Sequence, residues 1–473
     1  MSGMDVVIMA AGKGTRMKSR TPKVLHTLGG VPLIEHVIKV SKSLGARRQV
    51  VVVGHEASKV QAALAHHEDL MFALQEPQLG TGHALQSAAA HLPVLPNAGC
   101  TLVLSGDVPL IGLNTLQALV AASKEQHLTL LTLKTSSPQG YGRIVRTPNA
   151  NRQVLGIVEE KDASPQERLI EEIYVGVMVI PNAHLHAWLA ALNNNNAQQE
   201  YYLTDLVAMA VAAKLEVHTH ACLDPNEVAG VNDPAQLAHL ERAYQRNVAG
   251  QLMHAGARLA DPARIDVRGE VVVGQDVEID VGCVFEGRVV LGDGVKIGAH
   301  CVVSNAHLSA DVVVKPFTHI QGESSAHLIT VGEAAQLGPY ARLRAGTVLG
   351  AEVHIGNFVE VKNSTLGVGS KANHLAYLGD SVVGDRVNVG AGSITANYDG
   401  ANKHKTVIED DVHVGSNSVL VAPVTIARGG TVGAGSVISK DTQAGALTLT
   451  RAKAASLAHW SRPQKKPTNP SSG

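Results

Sequence analysis

The first part of the chain alternates short apolar runs with longer stretches whose apolar residues recur at helical spacing. Residues 6–9, 49–53 and 101–104 are dense in Val, Leu and Ile, which predicts strands buried on both faces. Between the first two, Leu33, Ile34, Val37, Ile38 and Leu44 follow a 3.6-residue period, so 32–44 is predicted helical. Strand, loop, helix and strand make a βαβ unit. Its recurrence over about the first 230 residues predicts a mostly parallel sheet covered by helices. Residues 235–255 are rich in Ala, Leu, Gln and Arg, lack proline, and read as one connecting helix.

Past Asp261-Pro262 the period changes. Units such as Val295-Lys296-Ile297-Gly298, Val353-His354-Ile355-Gly356 and Val412-His413-Val414-Gly415 recur, and glycines stand at 292 and 298, 332 and 338, 350 and 356, and 384 and 390. A period of six is not helical and is too regular for hairpins. It matches the hexapeptide repeat of a parallel β-helix, whose coils bury one aliphatic side chain per face. A β-sandwich would not hold that register over so long a run. The predicted domains are therefore 1–234, an α/β domain; 235–255, a linker helix; and 256–473, the β-helix. After Arg451 the chain reads as a mobile arm.

Composition agrees with this division. Of 473 residues 45% are hydrophobic but only 3% aromatic, and 46 are glycine, as expected of aliphatic cores separated by tight turns. A formal net charge of −1 excludes a strong field for nucleic acid or anionic membrane. Anionic substrates must then be held by local groups. Cys100, Cys222, Cys283 and Cys301 form no Cys-x-x-Cys pair, so buried reduced thiols are expected rather than a disulfide framework. No run approaches the ~18 apolar residues of a membrane span, and the N-terminus lacks the pattern of a signal peptide. A cytoplasmic location is the expectation.

The chemistry begins right after the first strand, at Met9-Ala10-Ala11-Gly12-Lys13-Gly14-Thr15-Arg16-Met17. Its glycines let the backbone turn its N–H groups toward phosphate oxygens, and Lys13 and Arg16 add charge. It is neither a Walker A loop nor a full dinucleotide fingerprint, because Met17 replaces the third glycine. Followed by Pro22-Lys23, it resembles the signature loop of sugar-nucleotide nucleotidyltransferases. Gln75 and Leu79-Gly80-Thr81-Gly82 resemble that family's uracil-reading loop. Ser105-Gly106-Asp107 ends an apolar strand, where open α/β sheets bind ligands.

By this resemblance Asp107 and the asparagine of Gly230-Val231-Asn232 hold Mg2+, and Gly142, Glu159 and the Glu200–Asp205 run contact the sugar. One position departs: Tyr174 stands where the family usually has asparagine. The implied reaction is attack of N-acetylglucosamine 1-phosphate on the α-phosphorus of UTP. Such a step depends on positioning and charge neutralisation more than on a protein base.

In the β-helix, Ser370–Asp380 breaks the hexads with polar residues, including His374 and Tyr377. With Arg344 and Lys362 before it, and Asn388 and Asn397-Tyr398-Asp399-Gly400 after it, this set resembles the acetyltransferase half of the bifunctional N-acetylglucosamine-1-phosphate uridyltransferase/glucosamine-1-phosphate acetyltransferase family. The similarity runs over nearly the entire chain in the same order. It implies a left-handed β-helix, against the right-handed crossover preference, and a homotrimer. It also implies His374 as general base, Arg344, Lys362, Tyr377 and Asn388 on glucosamine 1-phosphate, and Ala391, Asn397, Tyr398, Ser416, Ala434 and Arg451 on acetyl-CoA. The product, UDP-N-acetylglucosamine, feeds cell-wall synthesis. Three other readings compete: a zinc site built from His300, His354, His374, His404 and His413; a β-helix that is only a scaffold; and a non-catalytic sugar-nucleotide sensor.

Overall fold

In the computed structural model, which describes residues 3–92, 94, 99–148 and 151–464, the first apolar runs become the middle of a nine-stranded sheet. Its strands are β1 (Met4–Met9), β2 (Arg48–Val53), β3 (Leu70–Leu74), β4 (Cys100–Ser105), β5 (Leu128–Lys134), β6 (Gly142–Arg146), β7 (Val154–Val158), β8 (Glu172–Pro181) and β9 (Val217–Cys222). The order is β9-β5-β8-β4-β1-β2-β3, with β6 and β7 attached beside β8. Strand β8 runs antiparallel to β4 and β5, and the other neighbours along that path are parallel.

Alternate residues face opposite sides, as the period of two requires. Val6, Ile8, Val51, Val53, Leu102 and Leu104 pack on Ile34, Val37 and Ile38 of helix α1 (Leu33–Ser43). Val7, Val50, Val52 and Val103 pack on Ala84, Leu85, Leu185 and Leu206 from the other side. Both faces are dry, so the strands carry continuous apolar runs.

The helix expected as a linker, Pro234–His254, is part of this first unit, which comprises Met1–His254, Asp261–Glu270 and Val284–Glu286. Its Leu240 joins Met17, Leu28, Leu33 and Val231 in one apolar cluster. Glu241 accepts from the Gly29 amide at 2.8 Å. Gln245 exchanges two 2.8 Å hydrogen bonds with the Val267 backbone. These contacts make the helix a structural face rather than a tether.

The second unit is a stack of parallel coils. Gln336, His354, Lys371, Asn388, His413 and Thr431 pair in one ladder. Successive coils are therefore 18 (336 to 354), 17 (354 to 371 and 371 to 388), 25 (388 to 413) and 18 (413 to 431) residues apart. Three hexads make one turn, and the long step holds the loop between strands Ile394–Ala396 and Thr406–Ile408. The residue after each ladder position points inward: Leu337, Ile355, Ala372, Val389, Val414 and Val432 are all buried. A column one side chain wide leaves little room for rings, which accounts for the aliphatic composition.

Rings stand outside instead. His300, Phe317, Tyr340 and Phe358 occupy successive turns at φ 55–60° and stack with centroids 5.3, 5.0 and 5.4 Å apart. Leu375 continues the row at φ 49° and is 63% exposed.

All four cysteines are buried and free. Burial pushes the thiols of Cys100 and Cys301 up to about 12, and those of Cys222 and Cys283 up to about 11. After the last strand, Leu447–Thr448, residues 451–464 are exposed and form no helix or strand. The rest of the expected arm, 465–473, lies outside the described residues.

Candidate functional site

The parallel strands β1 and β4 end side by side, with Met9 paired to Ser105. The chain leaving each of them lines the same opening. After β1 the loop reverses through Gly14 at φ 58° into a short turn, Thr15–Met17, and a Cβ on Gly14 would lie 2.7 Å from that of Lys23. Glycine is required there both by the left-handed backbone and by the close approach. Met17, which breaks the dinucleotide pattern, is buried in the cluster under helix Pro234–His254.

Two cavities meet at this edge and share Met9, Thr81, Ser105 and Asp107. One, of about 440 Å³, is lined by Ala10, Ala11, Gly12, Lys13, Lys23, Gln75 and Gly80. The other, of about 410 Å³, is lined by Arg16, Gly142, Glu159, Tyr174 and Asn232. Gly106 lines neither cavity, its amide instead donating to Met9 O at 2.9 Å. Of the Glu200–Asp205 run, Glu200, Leu203 and Thr204 line them and Tyr201, Tyr202 and Asp205 do not.

At the junction Lys23 Nζ makes an ion pair with Asp107 and donates to Asn232 Oδ1 at 3.4 Å. Ser105 Oγ donates to the other Asp107 oxygen at 2.5 Å. The Val231 amide donates to Asp107 O at 2.9 Å and so fixes the strand end against the Gly230–Asn232 turn. Two oxygen acceptors thus converge on one cationic group.

The loop that resembles the uracil-reading one is held by the Gln75 side chain and by the Tyr201 backbone. Gln75 Nε2 donates to Gly80 O at 2.9 Å, and the Gly82 amide donates to Tyr201 O at 2.7 Å. Gln78, which sequence reasoning missed, donates to Ala11 O at 2.8 Å and joins the two loops. Its one sequence signal was its place between Gln75 and Gly80. In the second cavity Thr204 donates to Glu159 at 2.9 Å, and burial pushes the Glu159 carboxyl above the usual carboxylate range. Tyr174 is buried, its hydroxyl has no partner among the described residues, and burial together with Glu159 raises its proton affinity.

On the β-helix, the residues assigned to acetyl transfer lie along one corner and its adjoining side. Gly392 N donates to His374 O at 3.4 Å, Asn417 N to Ala391 O at 2.7 Å, and Gly435 N to Ser416 O at 2.8 Å. His374, Ala391, Ser416 and Ala434 therefore stand on successive coils. Coils rise by roughly 4.8 Å, so the row is roughly 14 Å long. Arg451 ends it, its side chain beside Gly433 and Gly435.

On the next side, Lys362 pairs with Gly379, and Tyr377 pairs with Glu360. Arg344 donates to Glu360 at 2.9 Å. Lys403 from the inserted loop lies beside Lys362 and, with Arg344, lowers its proton affinity. Lys403 was not singled out as a site residue in the sequence, where it is one polar residue of a loop. Asn397 donates to Asp380, and Asp399 accepts from Ala401 N, Asn402 N and His404 at 2.8, 2.7 and 2.7 Å. Those contacts hold the Asp399 carboxyl well below the usual range. Asn388 stands apart, opposite Lys371 and His413. His374, Asn388 and Tyr398 are all exposed. None of the five histidines considered for zinc belongs to a three-ligand cluster among the described residues.

Comparison with known proteins agrees with both units. Residues 6–203 match the MobA-like NTP transferase domain, 267–355 the GMPPB C-terminal domain, and 405–440 the bacterial transferase hexapeptide with its six repeats. The chain is 62% identical over 471 residues to the bifunctional protein GlmU of Polaromonas naphthalenivorans strain CJ2, covering 98% of each. It is 60% identical over 477 residues to that of Polaromonas sp. strain JS666, covering 98% of each. Against that of Acidovorax sp. strain JS42 it is 59% identical over 480 residues, covering 98% of this chain and 99% of the relative. A nucleotidyltransferase sheet followed by a left-handed hexapeptide β-helix, matched to these relatives from end to end, places the chain in the GlmU family of bifunctional N-acetylglucosamine-1-phosphate uridylyltransferases and glucosamine-1-phosphate acetyltransferases.

Proposed function

We propose that UTP occupies the cavity of Ala10–Lys13, Gln75 and Gly80, and N-acetylglucosamine 1-phosphate that of Gly142, Glu159 and Tyr174. The observation that carries this reading is Lys23, whose ammonium is shared by Asp107 and Asn232 where the two cavities meet. The α-phosphorus and the attacking sugar phosphate come together at that point. Lys23 and Arg16 neutralise their charge, and the loop amides after Met9 orient the triphosphate.

Asp107 and Asn232 offer oxygen donors already turned to one cation, a set that suits magnesium. Held by Asp107 and Asn232, a magnesium ion would supply charge neutralisation to the reacting phosphates. Replacement of Asp107 tests the assignment: pyrophosphate release should fall while thiol release from acetyl-CoA persists in the same preparation.

In the β-helix, His374 takes the proton from the amine of glucosamine 1-phosphate as that amine attacks the thioester; the C–S bond then breaks and CoA leaves as a thiolate that takes up the proton. Arg344, Lys362 and Lys403 hold the sugar phosphate, with Tyr377, Asn388 and Tyr398 on the sugar and acetyl group. The row from Ala391 to Arg451 takes acetyl-CoA. Because His374 lies open on the surface next to Leu375, which continues the exposed apolar row of Phe317, Tyr340 and Phe358, a homotrimer covers that row and closes the acetyl site. Four free thiols suit a reducing cytoplasm, and among the described residues no helix is long and apolar enough to cross a membrane.

A further inference from the structure

Two clusters outside these sites bring three metal-ligating side chains together: Glu35 with His66 and His67, and Glu216 with His127 and His218. Hydrogen bonding separates them. Lys42 Nζ lies 3.2 Å from His67 Nδ1 and can only donate. The His67 ring proton is therefore on Nε2, given to Glu35 at 2.7 Å, and that cluster is complete as it stands. His218 Nδ1 instead lies 3.1 Å from the Ala122 carbonyl, which can only accept. Its ring proton is on Nδ1, and the Nε2 lone pair faces Glu216 Oε2 at 3.1 Å. Two acceptors at that distance need a cation between them, either a second ring proton or a metal ion. A backbone carbonyl on the remote nitrogen is also the arrangement that orients metal-binding histidines.

Sheet register builds the cluster. Leu128 of β5 pairs with Val217 of β9, so His127 and Glu216, each one residue before its strand, stand side by side. His218 shares the face of Glu216 two residues on. One ligand atom from each of the three residues lies within 4.8 Å of the others. The rings of His127 and His218 stack with centroids 4.3 Å apart and planes 14° apart, so the His127 ring must turn for its in-plane lone pair to meet that of His218 at one ion. Ligands at ~2.0–2.1 Å from a tetrahedral zinc are roughly 3.3 Å from each other, close to the His218–Glu216 separation. Glu216 and His218 also line a cavity of about 400 Å³ with Lys214 and Arg152, which gives an ion access from solvent. The cluster sits where β5 and β9 begin, whereas Asp107 follows the end of β4, so it is at the opposite edge of the sheet from the nucleotide.

We propose that His127, Glu216 and His218 bind a zinc-like divalent transition ion that ties edge strand β9 to β5, with a water in the fourth position. Two imidazoles and one carboxylate select such an ion over magnesium.

The test uses the full chain, freed of metal by chelation and given excess magnesium, then titrated with zinc chloride in a calorimeter. Wild type should take up one zinc at this site, with a zinc-edge anomalous peak between the three side chains. His218→Ala and Glu216→Gln should each weaken that binding by ~100-fold or more, since even groups that merely orient a ligand are worth ~10- to 100-fold. Glu35→Gln should leave it unchanged, and zinc should raise the melting temperature of wild type but not of Glu216→Gln. The Glu216 side chain is 70% exposed, so its amide variant keeps the fold. Unchanged affinity in both ligand variants, loss of the zinc with Glu35→Gln, or no zinc uptake by wild type would overturn the proposal.

Discussion

Lys23 and Asp107 form an ion pair across 84 residues of sequence, with the two side chains only 15% and 13% exposed. The pair joins the loop after β1 to the end of β4, and Asn232 completes it from a third segment. Under the proposed reading a phosphate would compete for Lys23 and a metal ion for Asp107, and without either the two side chains hold each other in position.

Replacing Asp107 by alanine should therefore remove uridylyl transfer by on the order of 10²-fold or more while acetyl transfer continues. Pyrophosphate and CoA release measured on one preparation check this. Equal loss of both activities in a folded protein would contradict two separate sites.

Leu240→Ala probes the helix that the sequence presents as a linker. Its side chain closes the cluster of Met17, Leu28, Leu33 and Val231, so truncation should cost about 2–5 kcal/mol and lower the melting temperature of the nucleotidyltransferase unit. A chain ending at 234 should be less stable for the same reason than one ending at 270, which keeps the helix and its bonds to Val267. A change within ~0.5 kcal/mol for Leu240→Ala would make the helix a simple connector.

Tyr174→Phe separates packing from recognition. The hydroxyl is buried without a protein partner among the described residues, and leaving such a group unsatisfied costs about 1–3 kcal/mol. The variant should melt at or above the wild-type temperature. If bound sugar is the missing partner, KM for N-acetylglucosamine 1-phosphate should rise several-fold with UTP affinity unchanged. An unaltered KM would assign Tyr174 to packing alone.

His374→Ala should slow acetylation roughly 10²- to 10⁴-fold, leaving uridylyl transfer untouched because the nucleotide cavities lie in the other unit, and assembly intact because the apolar row itself is unchanged. Acetyl-CoA binding should persist, since the Ala391–Arg451 row is not altered. Wild-type acetylation by this variant would return the β-helix to a scaffold.

Leu375→Asp, one turn position beyond Phe358, places a charge in the exposed apolar row. Sedimentation should report dissociation, and acetyl transfer should fall with it while uridylyl transfer remains. A monomer with full acetyl transfer would show that one chain completes the site.

Much of this molecule is written in local periodicity. A period of 3.6 or 2 follows from the geometry of one helix or strand, and a period of six from one coil, so α1, β1, β2, β4 and the hexapeptide ladder were all legible. The signature loop was legible too, because Gly14 answers a local demand, a left-handed turn. Other features required chain segments to meet. Gln78 acts by reaching Ala11, Lys403 by reaching Lys362, and helix Pro234–His254 by delivering Leu240 to Met17. Asn232 meets Lys23 from 209 residues away. His127, Glu216 and His218 are unremarkable in sequence and become a cluster only because Leu128 is opposite Val217. Sequence alone determined which elements form and where the glycine loop after β1 lies, since steric preference acts within a few residues. Tertiary structure decided which polar groups share a cavity or a cation, because strand register and the burial of two apolar faces set those distances.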